Sequence, residues 1–355
     1  MMREDAVTRL DELKKALLDF IKEFDPERDA DIHYGDFLKD LLIHTANNYE
    51  KLKKTLAGIP EVKYKSLYVF LPGNVPMVFF EVLPLSVIFN VKTFFKYPHN
   101  EKRLYDTFIS YLSSKYPNYS DFFKGEYVNH LQAERKIKEY DFVFFFGSEK
   151  LIPLLKRTNK PFKFFGPGFS IGVAFTHVKE DLIKDVLYFD QNGCLSMKFL
   201  FYMNDNIKND VANIFKKLSS TILPSSNFSQ DRFRYNLLTA SSFANLIFHN
   251  EHSAILEIEE ERLNDSVPLP GRTLILKKIK KEEDVIAFLN GKITYLQAIA
   301  TDSPSDIKIL KNYASFVTEF GQLQYQPYNF FFKKGVTLKN IFKEDNHDYQ
   351  MAEDI

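Results

Sequence analysis

The side chain best suited to covalent chemistry is Cys194, the only cysteine among 355 residues. It stands in Phe189-Asp190-Gln191-Asn192-Gly193-Cys194-Leu195-Ser196, between two apolar stretches. One thiol cannot close an intrachain disulfide and is too few for a zinc site. Two readings remain, a small buried hydrophobe and a nucleophile. The polar Asp-Gln-Asn-Gly approach suits a loop that presents a side chain at a cleft. Three further segments carry chemistry when taken with it. Asn74, in Pro72-Gly73-Asn74-Val75-Pro76, stands between a strand and a helix, where its amide can donate to an oxyanion or simply form a turn or helix cap. Lys96 places a cation just past the next apolar strand, or is an ordinary surface lysine. Gly147-Ser148-Glu149 turns from a strand into a helix, where backbone N–H groups can face a phosphate.

These positions need elements to hold them. Val7, Leu10, Leu13, Leu17, Ile21 and Phe24 recur at three- and four-residue steps and predict an amphipathic helix; Phe37, Leu38, Leu41 and Leu42 begin a second. From residue 66 the pattern alternates: strand over 67–71, helix 78–88, strand 91–95, helix 101–114, strand 142–146, helix 149–156. Alternation of this kind predicts an α/β fold around a parallel sheet, with ligands at the carboxyl ends of its strands. After Cys194 the expected order is strand 197–203, helix 205–222, a loop at Pro224-Ser225-Ser226, helix 232–247, strand 272–279, helix 282–289 and strand 293–300. The acidic end, 344–355, reads as a solvated tail.

Composition removes several classes of function. With 47 basic and 47 acidic side chains the formal net charge is zero, so no global field favours nucleic acid or an anionic membrane. No signal-peptide pattern opens the sequence and no apolar run is long enough for a membrane span; the expectation is a cytoplasmic protein whose thiol stays reduced. No Gly-x-Gly-x-x-Gly fingerprint or Gly-Lys-Ser/Thr phosphate loop occurs, and the segment from Gly166 to Gly172 reads as a turn. His249 and His252 lack a third ligand, so no metal is expected. The basic run Lys277 to Lys281 leads into an acidic helix start and reads as a solvated strand end.

The order and spacing of these pieces resemble the aldehyde dehydrogenase superfamily. Within it the pattern is most similar to the acyl-CoA reductase (LuxC-type) branch, the family of the reductase subunit of the bioluminescence fatty-acid reductase. That branch carries its nucleophile in Asp-Gln-x-Gly-Cys-Leu-Ser, matched here by Asp190 to Ser196. Supporting matches are Leu71 to Pro76, Phe146-Gly147-Ser148, Arg272-Thr273 followed by Tyr295-Leu296-Gln297, and Gly321-Gln322-Leu323-Gln324 with Pro327. The likeness runs from about residue 66 to 335. It implies an aldehyde-dehydrogenase-like α/β fold, a parallel-sheet cofactor-binding domain plus an α/β catalytic domain. The expected division is 1–186 for the N-terminal helices and NAD(P)-binding domain, 187–310 for the catalytic domain, and 311–355 for a return segment and tail.

By the same resemblance, Cys194 is the acyl-accepting nucleophile, and Asn74 with the Cys194 backbone N–H forms the oxyanion hole. Lys96 touches the adenosine ribose, Gly147 and Ser148 lie on the pyrophosphate side, and Glu319 resembles the glutamate that contacts the nicotinamide ribose. The implied activity is reduction of a fatty acyl-CoA or acyl-protein to an aldehyde. The stretch 164–168, where hydrolytic relatives carry a water-activating glutamate, has no carboxylate. His99 stands where NAD-preferring relatives often have an acidic residue, so NADPH is the expected cofactor and NADH the alternative. An acyl-protein synthetase or acyl carrier protein is the expected partner, with a homodimer as the usual assembly. The competing readings are an acyl transferase without hydride transfer and a non-catalytic docking subunit.

Overall fold

The structure is a computed structural model that describes residues 2–31, 34–99, 101–226, 228–259 and 271–345. The chain divides into two compact units, one built from residues 1–167 and the return segment that starts at Pro327, the other from residues 168–326.

The first unit holds a five-stranded sheet in the order β3-β2-β1-β4-β5. Its strands are β1 Ser66–Phe70, β2 Lys92–Tyr97, β3 Phe123–Tyr127, β4 Phe142–Phe146 and β5 Phe162–Phe165. Every neighbouring pair is parallel. A parallel sheet is covered on both faces, which is why β4 reads Phe-Val-Phe-Phe-Phe and is buried throughout. Aromatic rings fill the core: Tyr68 stacks on Phe94 with centroids 5.3 Å apart, and Phe145 on Phe164 at 5.8 Å. The two amphipathic helices form as the spacing predicts, Met2–Glu23 and Gly35–Lys53, with Leu10, Leu13, Leu17, Leu38, Leu41 and Leu42 buried.

The second unit holds a seven-stranded sheet in the order β12-β11-β6-β7-β10-β9-β8. Its members are β6 Phe169–Ala174, β7 Met197–Tyr202, β8 Asn245–His249, β9 Ala254–Glu257, β10 Thr273–Lys278, β11 Leu296–Thr301 and β12 Phe316–Glu319. All pairs are parallel except β8 with β9, so β8 is an antiparallel edge.

Several expectations need correction. The contact boundary falls at Pro167/Gly168, where β6 pairs with both β7 and β11, and of the expected return segment 311–355 residues 311–326 stay in the second unit while the part from Pro327 joins the first. The helix expected over 232–247 is Gln230–Ala240. Ser241 and Ser242 hydroxyls bond the Leu237, Leu238 and Thr239 carbonyls, and the branched and aromatic run Leu246-Ile247-Phe248 then pairs as β8. The strand expected over 293–300 is split, with a 3₁₀ stretch Asn290–Tyr295 leading into β11. Strands β3, β5, β6, β8, β9 and β12 have no counterpart in the sequence reading. The tail is anchored at its start. Glu344 accepts the Tyr64 hydroxyl at 2.8 Å, and Asp345 accepts the Phe164 N–H at 2.8 Å and pairs with Lys163 at 2.7 Å. Residues 346–355 lie outside the described residues.

The helix Met77–Phe89, which follows the Asn74 turn, carries only Glu81 and Ser86 as polar side chains, and burial pushes the Glu81 carboxyl up to about 8. Between its ordinary value of 4.5 and about 8 the folded protein holds a proton that the unfolded chain has released, so stability falls as pH rises through that window. Glu81→Gln should remove a slope of roughly 1.4 kcal/mol per pH unit from urea unfolding followed across it. Parallel stability curves for variant and wild type would show that Glu81 ionises freely in the fold.

Candidate active site

Four of the residues singled out in the sequence gather at one edge of the first sheet, because β2, β1 and β4 are adjacent and parallel. Asn74 is exposed in the turn after β1. Leu71 N–H donates to the Lys96 carbonyl at 3.1 Å, so the β1·β2 ladder runs on to the base of this turn. The following helix is capped by Pro76 without any side-chain bond, so Asn74 is not its N-cap. Lys96, in β2, is half-buried with its ammonium 5.7 Å from the Phe70 ring centroid, and burial lowers its pKa. Gly147 follows β4 and spends its N–H on the Phe165 carbonyl at 3.3 Å, continuing the sheet. Ser148 is exposed, and its hydroxyl accepts the Lys150 N–H at 3.3 Å as the cap of Glu149–Leu151. His99 is exposed with its ring 5.6 Å from that of Tyr127, the last residue of β3.

Cys194 lies in the second unit at the amino edge of its sheet, three residues ahead of β7. It occupies the turn closed by Ser196 N–H on the Gly193 carbonyl at 3.1 Å, and its own carbonyl accepts the Ser170 hydroxyl of β6 at 3.0 Å. The thiol-bearing residue is half-buried, not sealed in the core. The chain reaches this turn by an unusual route. Phe189, Asp190 and Gln191 have φ of 55°, 49° and 61°, three consecutive left-handed residues with a Cβ, each costing roughly 1–2 kcal/mol.

What holds them is a set of buried polar contacts. Arg272, with 0% exposure and itself at φ 56°, donates to the Asp190 carboxylate at 3.2 Å, to the Leu187 and His252 carbonyls at 2.9 Å, and to the Ile222 carbonyl. Asp190 also accepts the backbone N–H and hydroxyl of Ser225. The Gln191 amide bridges the starts of β7 and β10, donating to the Met197 carbonyl at 2.6 Å and the Thr273 carbonyl at 2.8 Å while accepting the Thr273 N–H at 2.9 Å. Lys198 donates to the Gln191 carbonyl, and burial lowers its pKa to about 8. Asp190, Gln191, Arg272 and Thr273 were legible only as motif matches. Ser170 and Lys198 gave no signal, because their partners are backbone carbonyls that a sequence does not mark.

Glu319 ends β12, whereas Cys194 precedes β7, so the two lie at opposite edges of the same sheet. Its carboxylate is paired with Lys179. The turn beyond it is tied down by Asp185, buried in the helix Leu182–Leu187, which accepts the Gly321 N–H at 2.6 Å and the Leu323 N–H at 3.0 Å.

The two units, a five-stranded parallel sheet and a seven-stranded sheet parallel except at its β8 edge, share their fold with solved aldehyde dehydrogenases. An aldehyde dehydrogenase from Bacillus cereus solved with NAD+ matches with a TM-score of 0.67 and 15% identity, over 90% of this chain and 76% of that one. A succinic semialdehyde dehydrogenase from Streptococcus pyogenes solved with NADP+ gives 0.62 and 14%, over 90% and 80%. A betaine aldehyde dehydrogenase variant from Staphylococcus aureus gives 0.65 and 12%, over 89% and 76%. At these identities the likeness establishes the fold alone. The sequence model of the acyl-CoA reductase (LuxC) family matches residues 128–324, more than half of the chain, and the protein belongs to that family. No curated protein matches the sequence. Family and fold class are those the motifs anticipated, and they make the protein an oxidoreductase of the acyl-CoA reductase or aldehyde dehydrogenase type.

Gly321, one of the motif glycines, has φ +84°, and a Cβ there would lie 2.4 Å from the Asp181 Cβ. Gly321→Ala should therefore lower stability by at least about 1–2 kcal/mol from the left-handed backbone alone, read as a drop in thermal midpoint. An unchanged midpoint would mean that this turn rearranges freely.

Proposed function

We propose that this protein reduces a fatty acyl thioester, either acyl-CoA or acyl-protein, to the aldehyde with NADPH, through a thioester on Cys194. The observation that carries the reading is the family match across the Cys194 segment, with that thiol half-exposed in a braced turn. Cys194 thiolate adds to the acyl carbonyl and expels the donor thiolate, leaving acyl-Cys194. When bound, a nicotinamide cofactor would supply the hydride for reduction of this acyl group, with Lys96 and Ser148 the residues that would hold it. Collapse of the resulting thiohemiacetal frees the aldehyde and returns the Cys194 thiolate. Asn74 and the Cys194 backbone N–H, by the family pattern, hold the oxyanion of each tetrahedral stage. The stretch 164–168 supplies no carboxylate to activate water, which protects the thioester from hydrolysis.

The edge of the first sheet suits a phosphorylated dinucleotide. Lys96 is an ammonium stripped of part of its water, His99 is not acidic, and Glu126, opposite Lys96 in register, is engaged by Lys136. Lys96 would hold the adenosine ribose and Ser148 the pyrophosphate side, whereas the Gly147 N–H is already committed to β5. A cytoplasmic acyl-activating synthetase or an acyl carrier protein would deliver the acyl group, and the protein would act as a homodimer.

The test is NADPH oxidation with medium- and long-chain acyl-CoA beside Cys194→Ser. Oxidation that yields aldehyde and vanishes in the variant is expected, and Asn74→Ala should lower turnover by about a hundredfold with folding intact. Acyl trapping on Cys194 without oxidation would make the protein a transferase, and neither signal, with acyl carrier protein donors also supplied, would leave a docking subunit. Lys96→Ala should raise the Michaelis constant for NADPH severalfold; an unchanged constant would remove Lys96 from the cofactor site.

A further inference from the structure

We propose that Arg272, Asp190 and Gln191 are positioning residues that aim the Cys194 thiol, a role that rests on the reading of Cys194 as the nucleophile. The three left-handed residues at 189–191 are under strain, and glycine at any of them would relieve it. The chain instead places there the side chains that do the holding. The left-handed backbone delivers the Asp190 carboxylate to Arg272 and the Gln191 amide to Met197 and Thr273. Arg272 is left-handed too, so both sides of the ion pair carry strain that their contact maintains.

The contacts converge on this segment from separate parts of the second unit. Arg272 joins it to the end of the helix Leu182–Leu187, to Ile222 after the helix Asn206–Leu218, and to His252 between β8 and β9. Gln191 joins it to the first residues of β7 and β10. The next turn, Gly193 to Ser196, carries the thiol. Releasing the contacts lets 189–191 relax toward ordinary backbone, and the turn tilts with it. A displacement of about 1 Å at a nucleophile is enough to cost on the order of a hundredfold in rate.

Because Cys194 is the only thiol, alkylation of the native protein by iodoacetamide reports on it alone. Arg272→Lys keeps the charge but cannot span four acceptors, and Gln191→Ala removes the bridge between β7 and β10. In both, turnover should fall about a hundredfold with the Michaelis constants for acyl-CoA and NADPH within about threefold of wild type, and alkylation at neutral pH should slow at least about fivefold. Ser225→Ala, which removes one support of Asp190 and leaves Arg272 in place, should give the same pattern at about threefold with an unchanged thermal midpoint. Variants with lower midpoints but wild-type turnover and alkylation per folded molecule would overturn the proposal and make the contacts purely structural. Should Arg272→Lys and Gln191→Ala fail to fold, wild-type turnover and alkylation in Ser225→Ala would overturn it equally. A wild-type protein that neither reduces nor accepts any acyl thioester would refute the proposed function, while the alkylation rates would still decide whether the contacts aim the thiol.

Discussion

A guanidinium removed from water must find hydrogen-bond acceptors for its N–H groups and a counter-charge, and in the second unit that requirement organises the whole amino edge of the sheet. Arg272 is fully buried and meets it with three carbonyls from three different connections and with the Asp190 carboxylate. Removing one partner of such a buried pair costs about 3–5 kcal/mol, and the three hydrogen bonds of the Gln191 amide add to what relaxation of the left-handed residues would forfeit. Both oppose relaxation of the bent route into the Cys194 turn. A relaxed backbone there would leave a buried charge without its partner.

The same economy recurs at other strand ends, with carboxylates taking backbone N–H groups that no strand or helix claims. Asp302, after β11, accepts the Phe175, Thr176 and His177 N–H groups beyond β6. Glu282 accepts those of Lys308, Ile309 and Leu310, and Asp141 those of Lys65 and Ser66 ahead of β1. Connections that would otherwise expose or strand backbone donors become fixed, and the turns that follow the strands have defined positions.

Sequence patterning disclosed what repeats and missed what is local. The apolar runs of β1 and β4 announced a covered parallel sheet, and the three- and four-residue spacing announced the first helices, because burial imposes those periods directly. β3 escaped because it is an edge strand, Phe-Lys-Gly-Glu-Tyr, with only Phe123 buried. β5 and β6 escaped because they flank the short Gly166-Pro167-Gly168 connection, where two brief strands read as one turn. The placement of Asn74, Lys96, Gly147 and Ser148 at the carboxyl edge of the first sheet was legible because the apolar runs of β1, β2 and β4 mark where those strands end. The spent N–H of Gly147 was not, since a hydrogen bond to the neighbouring strand depends on register.

The motif around the thiol contains support as well as chemistry. Of the residues from Asp190 to Ser196, two have side chains that brace the backbone from within the protein, and the distant Arg272-Thr273 pair is recognisable because it receives them. Gly321 is matched for a similar reason, since Asp181 leaves no room for a side chain and Asp185 holds its N–H. Residues that touch a substrate can change with the substrate, but a residue that fills a fixed internal geometry has few substitutes. A sequence signature of this type therefore reports the fold and the placement of the thiol more directly than it reports the acyl group. Chain length and donor would be chosen by surfaces that carry no comparable internal constraint.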